Sequence, residues 1–136
     1  MAESRTQLFA YGTLMPGEGN HRQIEEHVHQ ARPGVIKGIL VDLGAFPALI
    51  PGDGIVRGVL LDADLAVVKL TDRIEGCSPD PDQCLYRREL VGVHVEGEKQ
   101  VPAWTYFFAN PDQIADRPRL IVGEKDGFPI GAWSSA

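Results

Sequence analysis

The stretch Leu8-Phe9-Ala10-Tyr11-Gly12-Thr13-Leu14 decides how the rest of the chain is interpreted. Its first four residues predict a strand, and Gly12, which has no side chain, lets the chain turn sharply after it. A turn that leaves a strand can point several consecutive backbone N–H groups into one hollow, where they bind an anion or a developing oxyanion. A plain strand-to-loop turn explains the same residues and, on this pattern alone, is the simpler interpretation. The stretch has neither the lysine of a P-loop nor the spacing of a dinucleotide fingerprint.

Short apolar runs follow this opening, and they predict a domain in which strands dominate. The chain contains 15 Gly and 10 Pro, which fall between these runs and are typical of short strands joined by turns. The expected architecture is α+β, with a small, mixed, strongly curved or barrel-like sheet and two main helices packed outside it. Further strands are predicted at residues 35–43, 55–61, 86–95 and 101–108, with turns at residues 44–47, 51–54 and 96–98.

The first of the two helices is predicted to follow the opening turn. Asn20 is a suitable N-cap for it. Ile24 and Val28 are four residues apart, so that they share one helix face. The pair Pro33-Gly34 is expected to end this helix.

The second predicted helix begins near residues 62–64 and ends at Gly76. Its buried face is expected to carry Val67, Leu70, Thr71 and Ile74. Glu75 falls in its last turn, where the helix dipole disfavours an exposed carboxylate by roughly 0.3–1 kcal/mol. Such a position favours the protonated acid and suits a general acid/base near neutral pH. A solvated Glu75 paired with Arg73 or Arg88 is the alternative, and without further information it is the simpler one.

Three other side chains are open to either a structural or a functional interpretation. Asp72 lies three residues before Glu75 on the same helix face, as a helper of that acid or as a structural acid. Tyr86 opens a predicted strand, where packing is as natural as a ligand contact. Tyr106 lies on an alternating strand, and core packing is the expected role.

Composition and charge argue against several classes of function. A formal net charge of −6 is unfavourable for non-specific nucleic-acid binding, which requires a basic surface. It leaves room for an anionic ligand, since a few backbone N–H groups can bind a carboxylate locally. The first seven residues lack the apolar segment of a signal peptide, and no apolar run has the length of a membrane span. A cytoplasmic protein that does not enter membranes is therefore expected.

Length and cysteine usage lead to further expectations. A chain of 136 residues favours a single domain over residues 1–136, and nothing in it indicates an oligomeric state. Cys77 and Cys84 are expected to be reduced thiols near a loop, with a disulfide or redox pair as the alternative. A zinc site needs four ligands, and no histidine lies at finger-like spacing from these cysteines, so no metal site is expected there.

These motifs occur in an order that resembles the gamma-glutamylcyclotransferase-like superfamily, in particular its AIG2-like and gamma-glutamylamine cyclotransferase group. The resemblance covers nearly the whole chain. It departs from the family pattern at Thr71, where Leu is usual, and in residues 77–85, which form a longer segment than is common. The motifs that resemble the family are residues 9–14, 19–21, 38–49, 58–61, 70–76 and 86–88, with weaker matches at 104–107 and 131–133.

The resemblance implies a reaction and the residues that perform it. In that reaction the α-amine of a gamma-glutamyl group attacks its own γ-carbonyl, which gives 5-oxoproline and a free amine or amino acid. Glu75 corresponds to the family's acid/base glutamate, and Tyr86 to a further substrate contact. The implied partner is a small-molecule gamma-glutamyl substrate, with no metal or cofactor. The substrate-binding loop corresponds to Tyr11, Gly12, Thr13 and Leu14.

Two alternatives to this implied function remain. One is a member of the same fold that binds a small molecule without converting it, because a fold does not guarantee a function. The other is an enzyme that removes a gamma-glutamyl group during the biosynthesis of a small molecule.

Overall fold

The computed structural model describes residues 4–76, 85–96 and 100–134. These residues form one mixed sheet of seven strands, one α-helix and short 3-10 helices in the connections. The strands are β1 (Arg5–Ala10), β2 (Val28–Asp42), β3 (Pro47–Asp64), β4 (Tyr86–Val93), β5 (Val101–Phe108), β6 (Gly123–Lys125) and β7 (Phe128–Gly131). The α-helix, α1, spans Val67–Ile74, and the 3-10 helices span Gly19–Gln23, Glu25–His27 and Pro111–Ile114. The predicted α+β architecture is confirmed.

The long strand β3 organises the sheet, whose order is β4-β5-β1-β3-β7-β6 with β2 paired to β3. One edge of β3 pairs with β2 from Pro47 to Ala63. The other edge is shared, since β1 pairs antiparallel with residues 59–64 and β7 pairs parallel with Ile55 and Val56. Strand β3 thus has three partners, and the sheet is curled. In the described part of the chain it does not close into a barrel.

The second half of β1, from Leu8 to Ala10, is buried on both faces, which explains why these residues are all apolar. Leu8 and Ala10 belong to one buried cluster, and Phe9 and Tyr11 belong to a second cluster on the other side. Successive side chains of a strand point to opposite faces, so this alternation is the period of two expected for a strand. The end of β1 is thereby fixed between two packed layers.

The prediction of a helix after Asn20 is wrong. Residues 19–27 form two short 3-10 helices, and Val28 already begins β2. The stretch from Val28 to Gly34 pairs with β3 along residues 58–63. This tertiary pairing overrides the weak local preference that the spacing of Ile24 and Val28 indicated.

The turn predicted at residues 51–54 is also wrong, because β3 runs through it. Lys37 pairs with Ile55 and Ile39 pairs with Ile50, so residues 51–54 lie opposite a single residue of β2 and form a bulge. The hairpin instead reverses at residues 43–46, where the break after β2 was predicted.

The helix predicted near residues 62–64 exists but begins later. Both Asp62 and Asp64 end β3, and α1 starts at Val67 without a side-chain N-cap. It ends as predicted, because Gly76 has a φ of 67° and its N–H bonds to the carbonyl of Arg73 at 3.2 Å. A left-handed residue of this kind is the common helix stop.

Some predictions fall on residues outside the described ranges. They concern Cys77, Cys84 and the segment between them, and residues 97–98 of the turn after β4. Within the described ranges, no helix is both long and apolar enough for a membrane span. The same ranges contain no group of three His, Cys, Asp or Glu side chains arranged to hold a metal ion.

Gly58 of β3 allows β1 to approach closely, directly before the Tyr11 turn. A Cβ at Gly58 would overlap the carbonyl oxygen of Ala10 and lie 2.6 Å from Cζ of Phe9. We predict that Gly58→Ala lowers the free energy of unfolding by about 1–3 kcal/mol, because β1 has to shift. Urea denaturation measures this. Gly19→Ala is the matched control, since nothing lies within 4 Å of a Cβ there. Equal effects of the two substitutions would contradict the prediction.

Candidate active site

A cavity of about 250 Å³ lies beyond the end of β1. The β2–β3 hairpin, the end of α1 and the start of β4 also contribute to its wall. All six residues assigned to the site from the sequence lie there, Glu75 and Tyr86 together with residues 11–14. The complete lining among the described residues is Phe9, Ala10, Tyr11, Gly12, Thr13, Leu14, Asn20, Phe46, Pro47, Ile74, Glu75, Leu85, Tyr86 and Tyr106.

The turn after β1 has its carbonyl groups engaged by the protein. The carbonyl of Gly12 accepts the N–H of Met15 at 3.0 Å. The carbonyl of Thr13 accepts the N–H of Asn20 at 3.0 Å, and that of Leu14 lies 2.8 Å from Nδ1 of His21. The side chain of Asn20 also donates to Oγ1 of Thr13 at 2.8 Å. These bonds hold the turn in one conformation.

The N–H groups of this turn are in the opposite situation. Those of Gly12, Thr13 and Leu14 make no hydrogen bond to another described residue of the chain. Backbone N–H groups that are withdrawn from bulk water need an acceptor. Successive N–H groups of this kind form a concavity that suits an anion. The turn can therefore bind a carboxylate or an oxyanion without a basic side chain.

Gly12 is needed here for a different reason than the sequence indicated. Its φ is not among the positive values of the chain, so it does not adopt a conformation reserved for glycine. Instead, a Cβ at this position would lie 2.9 Å from Cγ and 3.0 Å from Cδ of Pro47. The expectation of an unusual turn conformation is wrong, and close packing against the Pro47 ring explains the glycine.

Glu75 follows α1 directly, and its N–H bonds to the carbonyl of Thr71 at 2.9 Å. Its side chain lines the cavity and is half-buried. Burial raises its pKa from the usual 4.5 to about 7. Arg88, a suggested ion-pair partner, instead donates to Asp72 at 2.9 Å. Among the described residues Glu75 forms no ion pair with Arg73 either, so the solvated alternative is wrong.

Three tyrosines line the cavity, and the hydroxyl group of each donates a hydrogen bond to another group of the protein. Tyr11 donates to the carbonyl of Tyr106 at 2.6 Å, and Tyr86 donates to the carbonyl of Pro47 at 3.1 Å. Tyr106 donates to Oδ1 of Asp72 at 2.6 Å. Burial raises the pKa of each tyrosine. Of the described groups in the lining, Glu75 is thus the one that exchanges a proton near neutral pH.

The lining carries no lysine, arginine or histidine among its described residues. Any anion bound by the described lining would therefore have to be held by donors without a full charge, such as backbone N–H groups. Phe46 and Leu85, which are 37% and 48% exposed, also line the cavity and make part of its wall apolar.

Sequence reasoning missed three contributions to this site. Phe46 and Pro47 line it because of the long β2–β3 hairpin, which no local pattern indicates. Asn20 was assigned as a helix cap, whereas it anchors the turn. The Gly19-Asn20-His21 motif was the available signal for this residue.

The chain is also similar to known proteins. Residues 8–134 match the family described as "Gamma-glutamyl cyclotransferase, AIG2-like". The chain belongs to this family. The resemblance found in the sequence is thereby confirmed, and so is the assignment of the chain as a cyclotransferase-type enzyme.

Three similar proteins show the likeness in more detail. A gamma-L-glutamyl-butirosin B gamma-glutamyl cyclotransferase from Niallia circulans is 31% identical over 112 residues, which cover 81% of this chain and 71% of that protein. The crystal structure of an AIG2-like protein from Mus musculus superposes with a TM-score of 0.69 at 25% identity, with 90% of each chain covered. YkqA from Bacillus subtilis shares the fold, with a TM-score of 0.65 at 22% identity over 86% of this chain and 38% of that one.

The raised pKa of Glu75 has a consequence for stability. A group with a pKa of about 7 in the folded state and 4.5 in the unfolded state binds its proton more tightly when folded. Ionisation of Glu75 therefore destabilises the fold progressively as the pH rises from 4.5 to 7, and fully above 7. We predict that Glu75→Gln is more stable than the wild type at pH 8, and that this advantage shrinks towards pH 4.5. Urea denaturation at both pH values tests this, and a pH-independent difference would argue against the assigned pKa.

Proposed function

We propose that this enzyme converts a gamma-glutamyl amine into 5-oxoproline and the free amine, with Glu75 as its general acid/base. One observation carries the proposal. A half-buried carboxyl group with a pKa of about 7 lines the same cavity as the unpaired N–H groups of residues 12–14. This combination supplies the two functions that the ring closure needs, proton transfer and the binding of negative charge.

The reaction can be followed by its bonds and protons. Ionised Glu75 removes a proton from the α-ammonium group of the substrate, and the freed lone pair attacks the γ-carbonyl carbon. A C–N bond forms, and the carbonyl π electrons move to oxygen. The attacking nitrogen then carries two hydrogens and a positive charge, and it loses one of these protons to solvent. When the carbonyl re-forms, the bond to the leaving nitrogen breaks, and protonated Glu75 gives its proton to that nitrogen. No water, oxidant or cofactor is consumed in this sequence.

The pKa of about 7 suits both proton transfers. A carboxyl group of ordinary acidity is too weak a base for an ammonium group and too rarely protonated at neutral pH to serve as an acid. The attack is intramolecular, so holding the glutamyl chain folded supplies much of the rate enhancement. In this proposal, the N–H groups of the turn bind the α-carboxylate or the oxyanion, and Tyr86 contacts the substrate.

The charges of the site favour an amine over an amino acid as the leaving group. A leaving amino acid brings a carboxylate, for which the described lining offers no cationic side chain. Ionised Glu75 would also repel it. A leaving amine avoids this conflict and can place its carbon chain against Phe46 and Leu85. The volume of about 250 Å³ is small for a ligand site, which agrees with a cavity that encloses mainly the glutamyl group.

Removal of a gamma-glutamyl group during biosynthesis is the second candidate, and it uses the same chemistry. It is favoured by the relative from Niallia circulans, whose name assigns it gamma-L-glutamyl-butirosin B. The two candidates differ in the size of the leaving amine rather than in the bonds that form and break.

The direct test of the acid/base role is the rate of 5-oxoproline release. With a gamma-glutamyl amine as substrate, we expect Glu75→Gln to lower kcat by about 10²–10⁴ while the fold is retained. Glutamine keeps the size and the hydrogen bonding of the side chain but cannot take up a proton. Release at the wild-type rate by this variant would rule out Glu75 as the base. Thermal stabilisation of the wild type by the substrate without any product would instead indicate a non-catalytic binding protein.

The leaving group is tested on the wild type with a substrate panel. We expect kcat/KM for a gamma-glutamyl amine to exceed that for a gamma-glutamyl amino acid with the same carbon skeleton by about tenfold or more. A carboxylate left without a counter-charge in a part-buried site is the reason. A gamma-glutamyl amino acid amide is the control, because it restores a neutral leaving group. Equal kcat/KM values for the amine and the acid would contradict the proposed preference.

A further inference from the structure

The polar side chains on the other side of α1 form a connected network. Thr71 and Asp72 on the helix, Arg88 on β4 and Tyr106 on β5 are its members, which we call the Asp72 network. Oδ1 of Asp72 accepts the hydroxyl of Tyr106 at 2.6 Å and Nε of Arg88 at 2.9 Å. The hydroxyl of Thr71 lies 2.6 Å from that of Tyr106. The hydroxyl of Tyr106 donates its one hydrogen bond to Asp72. It therefore accepts the hydrogen bond that it shares with the hydroxyl of Thr71.

The members of this network are largely withdrawn from solvent. Thr71 and Tyr106 are 0% and 1% exposed, and the side chains of Arg88 and Asp72 are 28% and 26% exposed. The guanidinium of Arg88 also lies 4.5 Å from the centroid of the Trp104 ring. Short hydrogen bonds to a charged group in such surroundings are stronger than those at the surface.

The helix that carries Glu75 needs an external support of this kind. It has eight residues and no side-chain cap at its N-terminus. Helices this short are marginal by themselves, so that tertiary contacts fix their position. The Asp72 network joins its last turn to two strands, and the carbonyl of Thr71 accepts the N–H of Glu75 at 2.9 Å. The backbone of Glu75 is therefore tied to a residue of the network.

We infer that Asp72 and Tyr106 are positioning residues, which hold the end of α1 on the sheet so that the carboxyl group of Glu75 reaches the reacting atoms. This inference rests on the function proposed above. Although Tyr106 lines the cavity, its hydroxyl is engaged by Asp72 and Thr71, and the network acts on the reaction through Glu75. Displacements of about 1 Å in a reacting group can lower a rate by about 10²-fold, so a loss of this support registers in catalysis.

The hydroxyl of Tyr106 can be removed without disturbing the substrate-binding turn. Tyr11 is held by the backbone carbonyl of Tyr106, not by its side chain. Tyr106→Phe therefore keeps the ring and the Tyr11 contact, and it removes the bonds to Thr71 and Asp72. We expect kcat to fall by about tenfold to hundredfold while KM stays unchanged. Asp72→Asn retains an acceptor oxygen for Tyr106, so its loss of kcat is expected to be smaller.

Two comparisons separate this role from general destabilisation. The double variant Asp72→Asn/Tyr106→Phe is expected to be no slower than Tyr106→Phe, because residues of one network do not add. Asp62→Asn is the matched control. Asp62 also pairs with an arginine, Arg5, and at 25% its side chain is as exposed as that of Asp72. The control removes a carboxylate away from α1 and is expected to keep the wild-type kcat.

The outcomes distinguish this inference from the proposed function. Wild-type kcat in Tyr106→Phe, a loss confined to KM, or an equal loss in Asp62→Asn would each overturn the positioning role. If Glu75→Gln, assayed in parallel, remains fully active, the proposed function fails first. An inactive Glu75→Gln together with a fully active Tyr106→Phe would overturn the positioning role alone.

Discussion

The chemistry proposed for this site depends on one feature of Glu75. Its carboxyl group is partly buried, and it has no ion-pair partner among the described residues. Desolvation disfavours the charged form, and it is the named cause of the pKa of about 7. A partner such as Arg88 would lower that pKa and remove the group from proton transfer at neutral pH. The fold avoids this, because Arg88 bonds to Asp72 on the outer side of the helix instead. Two acids three residues apart are thus placed in opposite electrostatic surroundings.

The proposed reaction also needs groups that bind negative charge on the substrate. In the proposal these groups are backbone N–H groups rather than cationic side chains. The carbonyl groups of residues 12–14 are engaged by Met15, Asn20 and His21, whereas their N–H groups have no acceptor among the described residues. Fixed dipoles of this kind need little reorganisation when negative charge develops. They also bring no full positive charge near Glu75, which would stabilise its ionised form and lower its pKa.

Local sequence predicted the elements of this protein better than their connections. The apolar run that begins at Leu8 predicted β1, the alternation of apolar and polar residues predicted β4 and β5, and Gly76 predicted the end of α1. The stretch from Asn20 to Gly34 was misassigned, because its conformation is set by pairing with β3, a strand distant in sequence. Residues 51–54 were misassigned for a related reason, since Pro and Gly punctuate a bulge as readily as a turn.

The candidate site shows the same division. Tyr11 to Leu14, Glu75 and Tyr86 were identified by their motif order, and the structure places them around one cavity. The direction of the pKa shift of Glu75 was predicted, but from the helix dipole. Its actual cause, burial, and the partner of Arg88 are tertiary properties that the sequence does not show. Phe46 and Pro47 were missed as lining residues, and the reason for Gly12 was wrong, for the same cause.

The most direct test of the acid/base role of Glu75 is an NMR titration of its side-chain carboxyl carbon. The signal is assigned by comparison with a variant that lacks this group. The proposed role of Glu75 requires a midpoint near pH 7, as expected for an acid that is half-buried and has no ion-pair partner among the described residues. A midpoint near the usual 4.5 would show a solvated or ion-paired carboxylate, and it would contradict Glu75 as the group that moves the proton.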